Sequence, residues 1–377
     1  MTPYEIITDQ RGMGRLSAAL SRERSVAVDL ECASGLHHYA KRVCLIQMAS
    51  RDRAFVVDPL AGLDLAPLKA ILEDPAVEIV MHDADFDMRS LDRDFGVRPR
   101  NIFDTLIAAR LCGHRQFGLS SMLEHYFGVM GSKRFQRADW TIRPLPADML
   151  DYAAGDVAHL VELRDLLEAE LVRLGRIDWA LAKFAERELI RHEPDERPAF
   201  ARIKRAKERC DGRALAVLDE LARARDEIAR RLDLSLFRVI SDDNLVELAN
   251  RPPSDASDLA RRRGMHPYLR GRGAAEIMAA VKRGLARPRL SWPRAPRHGR
   301  RALHSADLMD AIKSWRAKVA AEHGVEPDLI LSMRSVKDLA HGTHLDEVLA
   351  SEASNRWHIG TIRESLARLL SDCRRAV

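Results

Sequence analysis

The sequence predicts an α/β domain followed by an all-α half, and three observations lead to this fold class. Short apolar and β-branched runs alternate with helical patterns over the first half of the chain. From about residue 178 onward the pattern is helical and broken by turns, with no convincing strand. One segment of the helical half recurs 91 residues later, which indicates two copies of one module.

The first half opens with three predicted strands at Ser25–Leu30, Val43–Ala49 and Ala54–Asp58, each a short apolar run bounded by polar residues. The elements expected after them are, in order, a helix at Leu65–Leu72, a strand at Val77–His82, a helix near Phe86–Phe95, a short strand at Asn101–Asp104, and helices at Thr105–Leu111, Leu119–Phe127 and about Ala147–Leu174. Three strands followed by β–α alternation predict a mixed sheet with helices on both faces.

The internal repeat aligns Leu218–Ala249 with Met309–Ala340 without a gap. Identical residues coincide in the two copies, among them the pairs Asp219 and Asp310, Arg225 and Arg316, and Ser241 and Ser332. Chance similarity between two amphipathic helices is the alternative, because few shared positions hold rare residue types. Two copies of one helical module are the more economical explanation.

Charge separates the two halves of the chain. Residues 1–170 hold 20 Lys and Arg against 26 Asp and Glu, whereas residues 171–377 hold 41 against 30. This asymmetry predicts a site for cations beside a surface for a polyanion, and a chance difference between solvated faces is the alternative. Ala286–Arg301 carries six arginines, three prolines and no acid, so we expect an extended cationic linker there.

Composition and cysteine pattern exclude several protein classes. No apolar run approaches the length that crosses a bilayer, and Met1–Gln10 lacks the basic and apolar regions of an export signal. The five cysteines are scattered and contain no C-x-x-C pair, which argues against a disulfide framework or a structural zinc site. We therefore expect a protein of the reducing cytoplasm that does not act at a membrane.

Four carboxylates and one phenol form a chemical pattern in the first half. Asp29 and Glu31 are two residues apart at the end of the first predicted strand, so both project from the same face. Asp87 is expected at the start of the helix after the fourth strand. Tyr152 and Asp156 are four residues apart on a helix and share one face.

Each of these features alone is common on protein surfaces, but their convergence would need metal. Several neighbouring carboxylates repel one another strongly unless cations neutralise them. Mg²⁺ and Mn²⁺ prefer oxygen ligands, and two such ions about 3.5–4 Å apart can clamp an in-line displacement at phosphorus.

The order of these residues resembles the three exonuclease motifs of the DEDD superfamily, which has a ribonuclease-H-like fold. The motifs are Asp-x-Glu at Asp29, His-x-x-x-x-Asp at His82 and Tyr-x-x-x-Asp at Tyr152. The histidine branch of this superfamily has His where this chain has Asp151, so Tyr152 indicates the tyrosine branch.

Further segments resemble the ribonuclease D family. They are Leu45–Gln47, Phe103–Thr105 and Lys133–Val157, the last with Asp-Trp, Arg-Pro-Leu and Tyr-Ala-Ala-x-Asp-Val. The repeated module resembles the helical HRDC domain, and its second copy is more diverged. The expected organisation is an α/β ribonuclease-H-like exonuclease domain at 1–175, a helical linker at 176–207, an HRDC domain at 208–290, a basic linker at 291–302 and a second HRDC-like domain at 303–377.

The resemblance implies a 3′→5′ exoribonuclease that uses two divalent ions, Mg²⁺ or Mn²⁺, and releases nucleoside 5′-monophosphates. Asp29, Glu31 and Asp156 would hold the catalytic ion. Asp29 and Asp87 would serve the second, and Tyr152 would orient the attacking water. The expected RNA is a tRNA precursor with a 3′ extension. Residues expected near the substrate are His82, Gln47, Lys133, Gln136 and Trp140.

Alternatives stay open at this point. His82 could be a structural histidine at a strand end, and Trp140 could be a core aromatic. The same motifs also fit a DNA-directed 3′→5′ exonuclease. A nucleic-acid-binding protein with an inactive nuclease fold is a third interpretation, against which the intact set of four acids and Tyr152 argues.

Overall fold

The chain forms two compact units. The computed structural model describes residues 3–33, 35–132, 134–293, 302–351 and 356–375. The first unit contains residues 1–31, 43–192 and 298–377, and the second contains residues 32–42 and 193–297. Lys133 and residues 294–301 of the expected basic linker lie outside the described residues. The finer domain boundaries expected from the sequence stay a prediction.

The described part of the first 190 residues contains six strands, eight helices and a short 3₁₀ helix at Pro59–Ala61. The strands are β1 (Tyr4–Ile7), β2 (Ser25–Cys32), β3 (Val43–Ala49), β4 (Ala54–Val57), β5 (Glu78–Met81) and β6 (Ile102–Asp104). The helices are α1 (Gln10–Leu20), α2 (Ala66–Leu72), α3 (Asp85–Phe95), α4 (Thr105–Cys112), α5 (Leu119–Phe127), α6 (Ala147–Val157), α7 (Leu160–Arg173) and α8 (Ile177–Glu188).

The six strands form one mixed sheet in the order β1-β4-β3-β2-β5-β6. The pairs β1–β4, β2–β5 and β5–β6 are parallel, and β3–β4 is antiparallel. Every residue of β3, β4 and β6 is buried, as expected for strands covered on both faces. The predicted mixed sheet with flanking helices is confirmed.

The chain begins with two elements that the sequence analysis did not predict. Strand β1 and helix α1 precede the strand that carries Asp29, so that strand is second in chain order and not first. Only Ile7 is buried among the four residues of β1, which lies at the edge of the sheet. A strand this short, with one buried residue, gives almost no periodic signal.

The long helix expected at about Ala147–Leu174 is two helices. Helix α6 ends at Val157 and α7 begins at Leu160. Ala158 and His159, between them, carry no turn or breaker signal. Helix α6 packs against β3 and β4, whereas α7 packs against α4 and β5. Tertiary packing in two directions therefore interrupts a pattern that is locally continuous.

From Glu193 onward the described residues contain helices and one isolated bridge between Ile240 and Met265, but no strand. Short 3₁₀ helices lie at Ala199–Arg202 and Pro267–Arg270. The helices of the second unit are α9 (Ala206–Arg209), α10 (Gly212–Leu232), α11 (Leu236–Val239), α12 (Asp242–Asn250), α13 (Ala256–Arg261) and α14 (Ala274–Ala286). The helices after the basic segment are α15 (Ala302–His323), α16 (Pro327–Ile330), α17 (Met333–Ala340), α18 (Leu345–Ser351) and α19 (Arg356–Arg375).

The two repeated segments fold alike in detail. Arg225 donates a 2.9 Å hydrogen bond to the Ile240 carbonyl, and Arg316 donates a 2.8 Å bond to the Leu331 carbonyl. Both donors and both acceptors are 91 residues apart. Likewise, the hydroxyls of Ser241 and Ser332 cap α12 and α17 by accepting from the backbone amide three residues later. We call residues 212–286 the first module and residues 302–375 the second module.

The first unit has a continuous core that includes the second module. Leu171 of α7 and Trp179 and Phe184 of α8 belong to one buried cluster with Leu329 and Leu366 of the second module. The first module has a separate core of its own. No helix among the described residues has the length and apolarity needed to cross a membrane.

Candidate active site

Strand β2 and helix α6 bring three carboxylates together. Asp29 and Glu31 lie at alternate positions of β2, so both side chains leave the same face of the sheet. Asp156 lies in the last turn of α6, which packs against β3 and β4. One carboxylate oxygen from each of Asp29, Glu31 and Asp156 lies within 4.8 Å of the other two. All three residues are only partly buried, so the cluster is open to an ion.

The fourth carboxylate, Asp87, lies in the first turn of α3 and is 6% exposed. Burial and then the charge of Asp29 raise the pKa of Asp87 well above its usual range. Asp87 in turn contributes to the raised pKa of Glu31. The structure thus places three of the acids within reach of a single ion, with Asp87 electrostatically coupled to two of them.

Burial, joined by repulsion from neighbouring acids at Glu31 and Asp156, raises the pKa values of these carboxylates. Burial raises the pKa of Asp29 to about 7. Burial and the neighbouring acids raise the pKa of Glu31 to about 10, and burial and Asp29 raise that of Asp156 to about 8. Among the described residues, no Lys or Arg contributes to these shifts. A divalent cation fits this cluster, because all its donors are hard oxygens and it lacks positive charge.

Tyr152 lies one helical turn before Asp156 on α6, and its hydroxyl interacts with the Asp156 carboxylate. Burial, followed by the charges of Asp156, Glu31 and Asp29, raises the pKa of the Tyr152 phenol. The phenol therefore keeps its proton at neutral pH. In this state it can orient a water molecule or a substrate oxygen by hydrogen bonding.

Two aromatic rings pack around Tyr152. The ring centroid of Trp140 lies 6.1 Å from that of Tyr152, and the ring of Phe135 meets Tyr152 edge-on at 5.7 Å. Trp140 is 2% exposed, which favours the core alternative for this residue over a direct nucleotide contact. The sequence analysis did not identify Phe135, because one aromatic in an irregular segment carries no periodic signal.

Arg143 fixes the segment that carries these rings. Its guanidinium donates to both carboxylate oxygens of Asp58, at 2.6 and 2.8 Å. The same side chain donates to the carbonyls of Trp140 at 2.9 Å and Cys44 at 3.0 Å. A bidentate Arg–carboxylate pair has a defined geometry. Arg143 therefore ties Trp140 to β3 and to the end of β4.

Asp104 fixes the turn that leads into α3 and Asp87. It is fully buried and accepts hydrogen bonds from the backbone amides of Asp83 and Ala84, both at 3.1 Å. It also caps α4, and Arg187 of α8 donates to it at 3.1 Å. The sequence marked Asp104 only as part of a family segment. The available signal for this role was an Asp directly before a predicted helix, because Asp is a preferred N-cap residue.

The remaining expected substrate residues occupy different environments. His82 is partly buried, its Nδ1 lies 2.9 Å from the Thr105 hydroxyl, and its buried Nε2 has no hydrogen-bond partner among the described residues. Burial lowers the pKa of His82 to about 4, so the ring is neutral. Gln47 is fully buried and both its amide atoms lack partners within the described part of the chain, whereas Gln136 is exposed. Lys133 lies outside the described residues.

Known proteins resemble the chain in both halves. A family model described as a 3′–5′ exonuclease matches residues 4–172, and the HRDC domain model matches residues 214–281. The chain is 33% identical over 340 residues to a ribonuclease D from Gluconacetobacter diazotrophicus, which covers 89% of this chain and 86% of that protein.

Solved structures resemble it as well. The crystal structure of Escherichia coli RNase D, described as an exoribonuclease involved in structured RNA processing, aligns with a TM-score of 0.75 at 28% identity, over 98% of this chain and 99% of that one. The catalytic core of RRP6 from Trypanosoma brucei aligns with a TM-score of 0.68 at 27% identity, over 76% of this chain and 80% of that one.

Proposed function

Because the chain belongs to the ribonuclease D family and is a 3′→5′ exoribonuclease, we propose that Asp29, Glu31, Asp87, Asp156 and Tyr152 form its catalytic centre. The observation that carries the proposal is the convergence of three carboxylate oxygens within 4.8 Å. The enzyme depends on divalent metal, and the proposed complement is two ions, Mg²⁺ or Mn²⁺. When bound, such ions stabilise charge at a transferring phosphoryl group and acidify water.

Each protein group has a separate task in this proposal. Asp29, Glu31 and Asp156 hold one ion, while Asp29 and Asp87 serve the other. The Tyr152 hydroxyl, one helical turn from Asp156, orients the attacking water toward the terminal phosphodiester. Cleavage of the bond to the 3′-terminal nucleotide then releases a nucleoside 5′-monophosphate. The raised pKa values support this assignment, because a buried group of like charges is typical of a site that a ligand completes.

The proposed substrate is a structured RNA with a 3′ extension, such as a tRNA precursor. The description of the similar Escherichia coli enzyme and the excess positive charge of residues 171–377 support it. His82, Gln47, Gln136, Trp140 and Lys133 are proposed to lie near the terminal nucleotide, with Trp140 acting through Tyr152. A cytoplasmic location is proposed as well, supported by five free cysteines.

The test uses a 5′-labelled RNA hairpin with a single-stranded 3′ extension and a DNA of the same sequence. With Mg²⁺ or Mn²⁺ we expect stepwise shortening of the RNA from its 3′ end, release of 5′-monophosphates, and no reaction in chelator. Faster hydrolysis of the DNA would favour the DNA-directed alternative. Chelator-resistant hydrolysis would remove the metal assignment.

A pair of variants on one helical turn separates the site from its surroundings. Asp87→Asn should lose most activity, because Asp87 is buried and coupled to Asp29 and Glu31. Asp85→Asn is the matched control, since Asp85 pairs with Arg89 at 2.9 Å outside the cluster. Equal activities for the two variants would contradict the role given to Asp87.

A further inference from the structure

The second unit contains a large cleft that the catalytic assignment does not use. Its volume is about 940 Å³, at the upper end of the range of small-molecule pockets. Its walls are the loop Gly35–Lys41, the segment Glu196–Lys204 and parts of α10 and α11, all within the second unit. Seven Lys and Arg residues line the cleft against four Asp and Glu residues, so its lining is net cationic.

The loop wall is fixed by side-chain contacts with α10 and the residue that follows it. The Tyr39 hydroxyl donates to Asp226 at 2.8 Å, and the Arg230 guanidinium lies over the Tyr39 ring, 5.4 Å from its centroid. His38 contacts Asp233 at 2.7 Å. These contacts hold the loop in place, so the cleft is built into the fold before any ligand arrives.

Several groups in the cleft are available to a ligand. Lys41 and Lys204 are exposed, and neither has a carboxylate within ion-pair distance among the described residues. Phe237 is 52% exposed, and its neighbour Leu236 is 37% exposed. An exposed aromatic ring and unpaired ammonium groups lining one cleft are a combination that binds single-stranded nucleic acid, since bases stack on the ring and phosphates contact the cations.

The position of the second module that corresponds to Phe237 does not hold an aromatic residue. The repeat aligns Asp328 of α16 with Phe237 of α11 in sequence. Asp328 and Glu326, two residues before it, form ion pairs with Arg110 of α4. In the second module this position therefore makes a packing contact within the first unit. In the first module the corresponding residue, Phe237, lines the cleft.

We propose that this cleft binds a single-stranded stretch of the RNA, with Phe237 stacking on a base and Lys41 and Lys204 contacting phosphates. This inference rests on the proposed function, because it takes RNA as the substrate. A cationic lining and an exposed ring favour nucleic acid, since each nucleotide of a single strand offers both a phosphate for the cations and a base for the ring.

The test is RNA binding by the full chain in chelator, with a fluorescein-labelled oligoadenylate of 12 nucleotides as the probe. Phe237→Ala should weaken binding about 5- to 100-fold, as expected when one base no longer stacks on a ring. Lys204→Glu should weaken binding and reduce the log–log salt slope by about 0.7 for each phosphate that the variant no longer neutralises. Phe237→Ala should not weaken binding of a blunt duplex of equal length to the same extent, because its bases are not free to stack.

Matched controls lie in the same module but outside the cleft. Lys282→Glu makes the same charge change at an exposed lysine of α14, and Leu285→Ala truncates a side chain that is 46% exposed. Both should bind RNA like the wild-type protein. The inference is wrong if Phe237→Ala and Lys204→Glu bind the oligonucleotide with wild-type affinity, or if the controls weaken binding as much.

A separate measurement keeps the two proposals apart. Hydrolysis of the same oligonucleotide by the wild-type protein with Mg²⁺ tests the proposed function. Failure of that reaction would count against the exoribonuclease assignment of the catalytic centre. Normal hydrolysis together with unchanged affinity in Phe237→Ala and Lys204→Glu would overturn only the cleft. An acidic peptide that competes with RNA, without any effect of Phe237→Ala, would also overturn it in favour of a protein partner.

Discussion

The charged side chains of the catalytic centre and those of the two arginines that the repeat aligns, Arg225 and Arg316, are balanced differently. In the catalytic centre, burial raises the pKa of Asp29 to about 7, and no described Lys or Arg offsets the neighbouring acids. In the two modules, Arg225 and Arg316 each donate to a backbone carbonyl of their own module. The acids therefore need a bound cation, whereas each arginine has a carbonyl partner in the fold, although its Nε has no hydrogen-bond partner among the described residues.

This difference in charge balance distinguishes the catalytic acids, which serve function, from the arginine–carbonyl contacts, which serve structure. A buried group without a partner lowers stability, so a cluster of such groups is retained where a ligand completes it. Arg225 and Arg316 donate to backbone carbonyls instead, and the repeat has kept these carbonyl partners at the same spacing of 91 residues. Variants in the two places should accordingly have opposite effects on activity and stability.

The largest expected effect is that of Asp29→Asn on activity. Asp29 is proposed to serve both ions, so its replacement should lower the turnover rate by about 10⁴-fold or more, since metal ions contribute several kcal/mol to such reactions. In chelator the variant should melt at the same temperature as wild type or higher, because one repelling charge is gone. Initial rates with Mg²⁺ and melting curves in chelator measure the two effects. Retention of more than a few per cent of activity would contradict the assignment, and so would unfolding of the variant.

Tyr152→Phe tests a neutral member of the same centre. It removes one hydroxyl, so the rate should fall about 10²- to 10⁴-fold while divalent ions still raise the melting temperature. Tyr126→Phe is the matched control, because its hydroxyl also donates to a carboxylate, that of Glu170 at 2.8 Å, outside the centre. A normal rate for Tyr152→Phe, or disappearance of metal stabilisation along with the rate, would show that the phenol does not act as a positioning group.

How much of this was predictable depends on the range of the interactions involved. The spacing of Asp29 with Glu31 and of Tyr152 with Asp156 could be used because one strand or one helix fixes each pair. That these pairs meet follows from the sheet order, in which β2 lies between β3 and β5. The strand order was not derivable from the pattern alone. The expectation that the two pairs form one site came from the resemblance to a known family.

Features that depend on tertiary contacts were missed. The five hydrogen bonds that Asp104 accepts join β6, α4, α8 and the turn before α3, which are distant in sequence. The edge contact of Phe135 with Tyr152 has no periodic signal. The break between α6 and α7 arises from two packing directions. None of these is encoded in a local window of sequence.

The stability of the metal-free protein should fall as the pH rises from 6.5 to 8. The folded-state pKa values of Asp29, Glu31 and Asp156 are raised to about 7, 10 and 8, whereas the unfolded carboxyls are fully ionised in this window. The folded state therefore binds more protons, and each extra proton lowers the free energy of unfolding by about 1.4 kcal/mol per pH unit. His82, whose pKa is lowered to about 4, acts in the opposite direction only below about pH 6.5.

Urea unfolding in chelator at several pH values measures this slope. Histidines elsewhere contribute equally to wild type and variant, so the informative quantity is the slope difference between wild type and Asp156→Asn. The slope should be steeper in wild type, and added Mg²⁺ should stabilise wild type more at pH 8 than at pH 6.5. Identical slopes in wild type and variant would mean that these carboxylates are not protonated in the folded protein.

The smallest expected effect distinguishes Arg225 from Arg316. Arg225 also donates to the Asp242 carboxylate at 2.8 Å, whereas the repeat places Met333 at that position in the second module. Replacement by Met leaves a carbonyl unsatisfied in both modules, at a cost of about 1–3 kcal/mol. Arg225→Met should cost about 1 kcal/mol more than Arg316→Met, because it also removes the ion-pair partner of Asp242. The excess stays small since the Asp242 side chain is 28% exposed and still accepts from the Lys204 backbone amide at 3.1 Å. Amide hydrogen exchange in α12 and α17 measures each module by itself. Adding Asp242→Asn to Arg225→Met should remove the excess, and an excess that persists would mean that the ion pair is not its cause.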